Sequence, residues 1–281
     1  MARLEQIGAE SAARAYEYCS KNPERCAYIA GWIHEGGLEC RTSTPKGWLM
    51  AEVSDSDHVT GLVFISATGI LIPVLRSETS HEQIVAVARM NPGMIRVLVG
   101  EQHQVGSLWR RLERLGARPR LIRKQVLYAV VTESFPGPPD ERLTIATEAD
   151  LEDVVRASAA MAREEANDDP YSRNPNMFRA RIRSRMERRR DFIARREGEL
   201  AFKANVSAIA PIGGQIEGIY TTPSWRRRGL GRMGTAAMTA WVLERAERGV
   251  LLVNDDNTPA RDLYESLGYR QVYKSQTIFV V

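Results

Sequence analysis

Three consecutive arginines and three glycines lie between an apolar, β-type segment and an amphipathic helical pattern. Arg226, Arg227 and Arg228 precede Gly229-Leu230-Gly231, and apolar residues then recur at spacings of three and four. Helix N-termini carry unpaired N–H groups and a partial positive charge, and glycine lets an anion approach the backbone closely. Guanidinium groups add mobile cations. The segment therefore predicts a turn that binds a phosphate-bearing ligand.

Two nucleotide-binding patterns compete for this turn. A Walker loop needs lysine after its last glycine, but Gly234 is followed by Thr235. The Rossmann pattern G-x-G-x-x-G is present at Gly229, Gly231 and Gly234, with Asp255 beyond the next strand. Against it, seven residues separate the preceding strand from the first glycine, and the remaining chain is short for further βα units. A dinucleotide site stays open as the weaker alternative.

The distribution of histidine and cysteine excludes several kinds of chemistry from the second half of the chain. All of them precede residue 104: His34, His58, His81, His103, Cys19, Cys26 and Cys40. A reaction in the second half has no imidazole base, thiolate nucleophile or His/Cys metal site of its own. The cysteines form no C-x-x-C pair and predict reduced, structural thiols.

The chain divides at a proline-rich segment. The sequence ESFPGPPDE, residues 133–141, separates two apolar-patterned regions and predicts a linker at 136–141 between domains 1–135 and 142–281. The first domain reads as helix 9–19, strands 27–33, 59–65 and 69–75, helix 81–89, strand 95–99, helix 105–115 and strand 124–131. The second reads as strand 143–146, helix 148–165, an arginine-rich helix, strands 200–206 and 215–221, helix 230–248, strand 250–253, helix 259–267 and strand 275–280. This order predicts an α/β fold with a mixed sheet.

Composition is that of a globular protein, with 281 residues and a formal net charge of +4. No apolar run approaches the roughly 20 residues that span a bilayer, so we expect a cytoplasmic protein without membrane contact. Seven arginines lie between residues 179 and 190. We interpret them as the solvated face of a helix whose buried side is Ile182, Met186 and Ile193, in preference to a nucleic-acid contact.

Two motifs in order resemble the GNAT acetyltransferases. The family signature, Arg or Gln, two residues, Gly, one residue, Gly or Ala, matches Arg226-x-x-Gly229-x-Gly231 with the lead-in YTTPSW. The sequence NTPARDLYESLGY, residues 257–269, is similar to the second cofactor motif of the family. Residues 96–131 and 249–281 also share a strand, a polar loop, a helix ending in Leu-Gly and a strand. Duplication into two tandem GNAT-like domains would produce this repeat, and so would a shared βαβ periodicity without duplication.

The resemblance implies that acetyl-CoA is the cofactor and predicts roles for individual residues. The backbone of Ile219, Tyr220 and Thr221 would hold the pantetheine arm and the thioester carbonyl. The turn would bind the pyrophosphate, and Tyr264 would protonate the departing thiolate. The predicted cofactor-binding set is Ile219, Tyr220, Thr221, Arg226, Arg227, Arg228, Gly229, Leu230, Gly231, Arg232, Asn254, Asn257, Ala260 and Tyr264.

The amine acceptor must lose a proton before it attacks the thioester. Glu217 alternates with Ile219 and Thr221 and so would share their face of a strand, which makes it the leading candidate base; water is the alternative. Glu164 and Glu165 close the first helix of the second domain, where they would attract a cationic amine or form a polar helix end.

Nearly the whole chain resembles bacterial acetyltransferases that carry a GNAT-like domain ahead of the catalytic one, as judged from Lys203 in AFKANV, the VNDDN segment and GARPRLIRKQ. The first domain lacks Arg-x-x-Gly-x-Gly, and Leu112 stands where the repeat places Tyr264. We expect no catalysis there. The function predicted is transfer of acetyl from acetyl-CoA to an unidentified amine. A dinucleotide-binding oxidoreductase and a non-catalytic CoA-binding or regulatory protein are the alternatives.

Overall fold

The computed structural model describes residues 3–38, 47–91, 93–141, 143–166 and 169–281. The chain forms two compact units. The first comprises Met1–Ala129, Leu252–Arg261 and Arg270–Val281, and the second comprises Val130–Leu251 and Asp262–Tyr269.

Twelve strands and nine helices are assigned within the described residues. The strands are β1 (Arg3–Gln6), β2 (Gly47–Val53), β3 (Val59–Ser66), β4 (Ile70–Val74), β5 (Val97–Glu101), β6 (Pro119–Val131), β7 (Thr144–Ile145), β8 (Asp191–Arg196), β9 (Glu199–Ala210), β10 (Gly213–Thr221), β11 (Arg248–Asn254) and β12 (Arg270–Val280). The helices are α1 (Ala12–Lys21), α2 (Pro23–His34), α3 (Glu78–Met90), α4 (Gln102–Arg114), α5 (Leu151–Ala166), α6 (Pro170–Arg173), α7 (Pro175–Met186), α8 (Leu230–Leu243) and α9 (Thr258–Ser266).

The first unit is built on strands in the order β1-β2-β3-β4-β5-β12-β6. Its neighbours are antiparallel except for β4 and β5, which are parallel. Apolar residues of β3, β4, β5, α3 and α4 form its core, in which Leu71, Leu98 and Leu108 are fully buried. Burial of each such side chain contributes about 1.5–3 kcal/mol.

The second unit orders its strands β11-β10-β9-β8-β7. They are antiparallel except for β10 and β11. One apolar cluster joins α5 and α7 to the sheet through residues such as Val155, Ile182 and Tyr220. In both units, therefore, an antiparallel run ends in one parallel pair whose first strand leads into a helix.

The repeated strand–helix–strand pattern predicted from the sequence is present in both halves of the chain. It comprises β5, α4 and β6 in one copy and β11, α9 and β12 in the other. The compact units differ from the predicted domains 1–135 and 142–281, because the terminal strand β12 pairs with β5 and β6. Ile278 of β12 is fully buried in the core of the first unit, which accounts for that pairing.

The strand predicted at residues 27–33 is wrong, since this segment lies inside α2. Cys26, Ala27, Ile29 and Ala30 are all buried, a helical arrangement that a half-buried strand would not give. Pro23 at the first helical position is compatible with that start. Strands β1, β2 and β8 were not predicted. Cys19 and Cys26 are buried free thiols, whereas Cys40 lies outside the described residues.

The arginine-rich segment is partly as predicted. Ile182 and Met186 are buried on α7, but Ile193 lies in β8, because α7 ends at Met186 and the chain turns through a positive φ at Arg189. Several of the arginines are ion-paired: Arg179 with Glu152, Arg183 with Glu148 and Arg185 with Asp191. These pairs support the interpretation of a solvated, salt-bridged helix. None of the helices in the described part of the chain is long and apolar enough to cross a membrane.

Candidate functional site

Strands β10 and β11 diverge shortly after they pair. Their parallel ladder holds two residue pairs, Gly214 with Gly249 and Gln215 with Val250. The ladder from β10 to β9, by contrast, continues to Thr221, which pairs with Phe202. Along residues 216–221 the described ladders thus occupy only the β9 side of β10. The predicted site residues Ile219, Tyr220 and Thr221 belong to this stretch.

A β-bulge interrupts β10 at Gly218. Glu217 pairs with Asn205 and Tyr220 pairs with Lys203, so two residues of β10 oppose one residue of β9. Gly218 has a φ of +63°, in the left-handed region that favours glycine. A bulge changes the direction of the side chains around it. The regular alternation of strand faces predicted for Glu217, Ile219 and Thr221 therefore does not hold.

Glu217 lies on the surface beside this bulge. Its side chain is exposed and accepts a hydrogen bond from the Gln215 amide at 2.5 Å. The prediction that Glu217 shares a strand face with Ile219 and Thr221 is therefore wrong, because the bulge adds a residue between them. The role of Glu217 as the general base remains a prediction.

Two buried polar residues of β9 lie against the bulge, and the sequence analysis assigned neither of them a role. The Lys203 ammonium group donates to the carbonyl oxygen of Gly218 at 2.9 Å, and the side chain is 2% exposed. Asn205 is also 2% exposed, and within the described residues its Nδ2 has no hydrogen-bond partner. Burial, and next the positive charge of Arg185, lower the pKa of Lys203 to about 7. An alternating β-strand with a lysine among AFKANV was the only available signal.

Tyr220 and Arg226 bind one acidic side chain of α5. The Tyr220 hydroxyl and the Arg226 guanidinium donate to the two carboxylate oxygens of Glu164, each at 2.6 Å. Arg226 also donates to the Thr221 carbonyl at 3.0 Å and stacks over the Tyr220 ring at 5.3 Å. Burial opposes the charge on Glu164, but the hydrogen bonds from Tyr220 and Arg226 outweigh it and lower the pKa of Glu164.

In this arrangement two residues of the predicted site, Arg226 and Glu164, bind each other. The Arg226 side chain donates hydrogen bonds to β10 and to α5, and so it links the strand that leads into the turn to that helix. Glu164 is engaged with Arg226, whereas Glu165 lies exposed at the same helix end. Burial, and next the bond to Glu164, raise the pKa of Tyr220 to about 12, so Tyr220 stays protonated.

The turn itself presents backbone amides at the start of α8. Gly229 is the N-cap, with a φ of +79° and open space where a side chain would project. Leu230 is buried, and among the described hydrogen bonds no protein group accepts from the amides of residues 227–232. The Arg228 guanidinium lies over Trp225 at 4.8 Å, and Arg232 donates to Ser266 Oγ and, at 3.3 Å, to the Ser266 carbonyl. Arg227 is exposed and adopts a φ of +58°.

Tyr264 is buried at 7% exposure and packs against Tyr269, with ring centroids 5.9 Å apart. Tyr269 shares a hydrogen bond with Thr239 Oγ1 at 2.8 Å, which ties this aromatic pair to α8. Burial, and then the neighbouring Tyr269, raise the pKa of Tyr264, so its phenol keeps the proton near neutral pH. The inward orientation predicted from its helical spacing is confirmed; its catalytic role is a separate question.

Asn254, Asn257 and Ala260 lie in the part of the chain that belongs to the first unit. Asn254 ends β11, and its carbonyl accepts from the Asn257 amide at 3.1 Å. Asn257 Oδ1 accepts from the Ala260 amide at 3.2 Å, which caps the start of α9. The roles predicted for these three residues toward a cofactor remain predictions.

The strand directions bear on the competing dinucleotide site. A Rossmann turn leads from a strand that has parallel neighbours, whereas β10 is antiparallel to β9 and only briefly parallel to β11. The glycine spacing at 229, 231 and 234 therefore lies in a sheet of a different kind. This observation weighs against the Rossmann interpretation of the turn.

Comparisons with known proteins agree with this geometry. Residues 197–280 match the family model described as FR47-like protein, and residues 49–154 match that of a domain of unknown function, DUF4081. A search of the curated proteins finds no match.

Solved structures similar to the whole chain include a GNAT-family acetyltransferase from Colwellia psychrerythraea, with a TM-score of 0.54, 13% identity and coverage of 99% of each chain. A tandem GNAT protein from the clavulanic acid biosynthesis pathway has a TM-score of 0.57 at 14% identity, covering 100% of this chain and 98% of that one. A Drosophila protein has a TM-score of 0.69 at 12% identity, with 100% and 99% covered.

At these identities the structural likeness shows the fold. The chain has an α/β fold of two GNAT-like parts. The FR47-like match covers β9 to β12, the part of the chain that contains the turn at Gly229.

Proposed function

We propose that this protein is an acyl-CoA-dependent N-acyltransferase that moves an acetyl group from acetyl-CoA directly to an amine. The observation that carries the proposal is the pairing of a diverging strand, β10, with a side-chain-free N-cap at Gly229. The first offers backbone groups to an extended ligand arm, and the second offers helix amides to an anion. Coenzyme A contains both an amide-bearing arm and a pyrophosphate.

The residues present fit such a ligand on the evidence of the turn. Open space lies where a side chain of Gly229 would project, so an anion has room at the N-terminus of α8. The exposed guanidinium of Arg228 lies over the Trp225 ring and adds a positive charge to the segment that leads into the turn. The amides of residues 227–232 would hold the pyrophosphate, and residues 219–221 would hold the arm and thioester.

The reaction needs one proton removed and one supplied. The amine nitrogen attacks the thioester carbonyl carbon, the C–S bond breaks, and the sulfur leaves as a thiolate that takes a proton. Tyr264 is our candidate for supplying that proton, because it is the tyrosine of the segment that resembles the second cofactor motif and its buried phenol carries a proton. Glu217 or a water molecule would take the proton of the amine, whose pKa lies near 10.4 in a lysine-like acceptor.

Isothermal titration with acetyl-CoA tests the binding step. We expect saturable binding of acetyl-CoA and CoA and no binding of NAD or NADP. NAD or NADP binding without CoA binding would favour an oxidoreductase. Consumption of thioester over a panel of small amines, amino acids and peptide amines tests the transfer step. CoA binding without turnover across the panel would favour the non-catalytic alternative.

Tyr264→Phe separates a catalytic phenol from a packing residue. If Tyr264 supplies the proton, its loss slows transfer by about 100-fold, within the usual range for general acids, and leaves the affinity for acetyl-CoA unchanged. Tyr171→Phe is the matched control, because Tyr171 packs edge-on against Phe178 in the same unit. Equal turnover of the two variants would contradict the role of Tyr264.

A further inference from the structure

Buried polar side chains of β9 contact the bulge of β10. Lys203 donates to the Gly218 carbonyl at 2.9 Å, and its other close polar neighbour is Met161 Sδ at 3.8 Å. A Cβ atom on Gly218 would lie 2.5 Å from Asn205 Oδ1 and 3.2 Å from Lys203 Nζ. The backbone of β10 therefore rests directly on these two side chains.

The contact of Lys203 is unusual for a buried ammonium group. Placing a charge in an apolar interior is costly unless it is paired, and the described residues include no ion pair of Lys203 with a carboxylate. The charged groups that act on it are Arg185 of α7, Asp191 of β8 and Glu165 of α5, of which Arg185 lowers its pKa and the two acids raise it. Asp191 is already bound to Arg185. A lysine costs stability here, so packing does not account for it.

We infer that Lys203 is a positioning residue that fixes the Gly218 bulge and thereby sets the backbone of residues 219–221 for the acyl group. The inference rests on the proposed function. A bulge disrupts the regular ladder and leaves its extra residue without a cross-strand partner, so a side chain that binds one of its carbonyls can fix its geometry. The carbonyl of Gly218 has that partner in Lys203, which approaches from β9. Lys203 acts through the strand, at a distance from the reacting atoms.

The inference predicts that function and stability move in opposite directions when Lys203 is replaced. Lys203→Met keeps the length of the side chain and removes the donor, so the folded state loses a costly buried amine. We expect unfolding midpoints equal to or above those of the wild type. Turnover with the fastest amine of the panel should fall about 10- to 100-fold, the scale expected when a reacting group is misplaced by about an ångström.

Measurements of CoA affinity distinguish a positioning role of Lys203 from a general structural role. Affinity for CoA, which has the arm but no acyl group, should fall by no more than a few-fold, since the α8 turn that would hold the pyrophosphate is untouched and only the contact of residues 219–221 with the arm is disturbed. Lys203→Gln retains an N–H donor without the charge and should recover a measurable part of the lost turnover. Lys274→Met, at an exposed lysine of β12, is the matched control and should change neither turnover nor midpoint.

Two outcomes would overturn the role of Lys203. Unchanged turnover in Lys203→Met would show that the bulge does not depend on the lysine. A fall in turnover that tracks a fall in midpoint and CoA affinity, with no recovery in Lys203→Gln, would reduce Lys203 to a structural residue. Absence of CoA binding by the wild type would instead contradict the proposed function, so the two failures are distinguishable.

Discussion

In the first unit β4 runs parallel to β5 and leads into α3, and in the second unit β10 runs parallel to β11 and leads into α8. The two turns differ in the groups that accept hydrogen bonds from their backbone amides. The carboxylate of Glu52 accepts from the Arg76 and Ser77 amides at 2.9 and 2.8 Å and from Ser80 Oγ at 2.7 Å. At Gly229, the described residues supply no such acceptor.

Glu52 is 0% exposed, so the first unit carries its own buried hydrogen-bond acceptor at the start of α3. Ser77 caps the same helix by accepting from the Thr79 amide at 3.1 Å, and Gln104 accepts from the Leu75 amide at 2.8 Å. The amides that a phosphate would need are thereby used inside the protein. The same strand–turn–helix thus has its amides bound inside the protein in the first unit, whereas the described residues supply no acceptor for them in the second.

The buried charged groups of the two units follow the same contrast. Glu52 has three hydrogen-bond donors around its carboxylate, the kind of environment that satisfies a buried anion. Within the described residues, Lys203 donates to one oxygen, the Gly218 carbonyl, and to a sulfur, Met161 Sδ. Both partners are neutral and offset little of the cost of burying a charge, so burial lowers the pKa of Lys203.

Removing Glu52 is the change with the largest expected effect. Glu52→Ala leaves two partly buried amides and the buried Ser80 hydroxyl without their acceptor, and we expect the free energy of unfolding to fall by about 3 kcal/mol. Inorganic phosphate or pyrophosphate should restore part of this loss by binding the vacated amides of the folded state. Urea unfolding with and without the anion measures both effects.

Glu82→Ala is the control for that experiment, because Glu82 lies exposed on the same helix. It should change stability by less than about 0.5 kcal/mol and respond to phosphate as the wild type does. If Glu52→Ala is as stable as Glu82→Ala, the filled turn of the first unit contributes nothing and the comparison fails.

The reverse change fills the turn of the second unit. A Cβ atom at Gly231 would meet Thr221 Oγ1 at 3.4 Å, an ordinary contact, so a side chain fits there. Gly231→Asp places a carboxylate in the first turn of α8, where it suits the helix dipole and repels a pyrophosphate. We expect acetyl-CoA affinity to fall about 30-fold, or ~2 kcal/mol, by titration calorimetry.

Gly231→Ala separates the charge from the added carbon. It should bind acetyl-CoA within a few-fold of the wild type, because it adds no anion. Equal affinity of the aspartate and alanine variants would mean that the N-terminus of α8 binds no anionic part of the ligand, and the proposed division between the two turns would be broken.

Local signals account for what the sequence predicted well. The β10 strand, the glycine turn and the α8 helix were readable from composition and spacing between Gly213 and Leu243, and so was the inward face of Tyr264. The single boundary between domains was a different matter. No local pattern shows that β12 returns to pair with β5, because that pairing depends on which core buries Ile278.

The missed features are contacts between residues distant in the chain. Glu52 binds amides 24 and 25 positions away, and Arg226 binds Glu164 across 62 positions. The bulge at Gly218 is a property of register between two strands, so alternation counted along β10 alone placed Glu217 on the wrong face. Lys203 in an alternating strand carries no sign that its partner is a carbonyl.

The smallest expected effect is the pH dependence that Lys203 gives to stability. Its pKa is about 7 in the folded protein against an ordinary value of 10.5, so between these values the unfolded chain binds a proton that the folded chain does not. The unfolding free energy of the wild type should then rise with pH across this window by up to ~1.4 kcal/mol per unit. Below pH 7 the lysine is charged in both states and its full penalty remains.

Lys203→Met lacks the group and its penalty, so its stability advantage over the wild type should be largest at pH 7 and shrink at pH 8 and 9. Urea unfolding of both proteins at these three values measures the difference, from which titrations elsewhere in the chain cancel. Parallel stability curves would mean that Lys203 keeps its charge on folding. The amine would then have a satisfied environment like that of Glu52, and the contrast between the two buried groups would disappear.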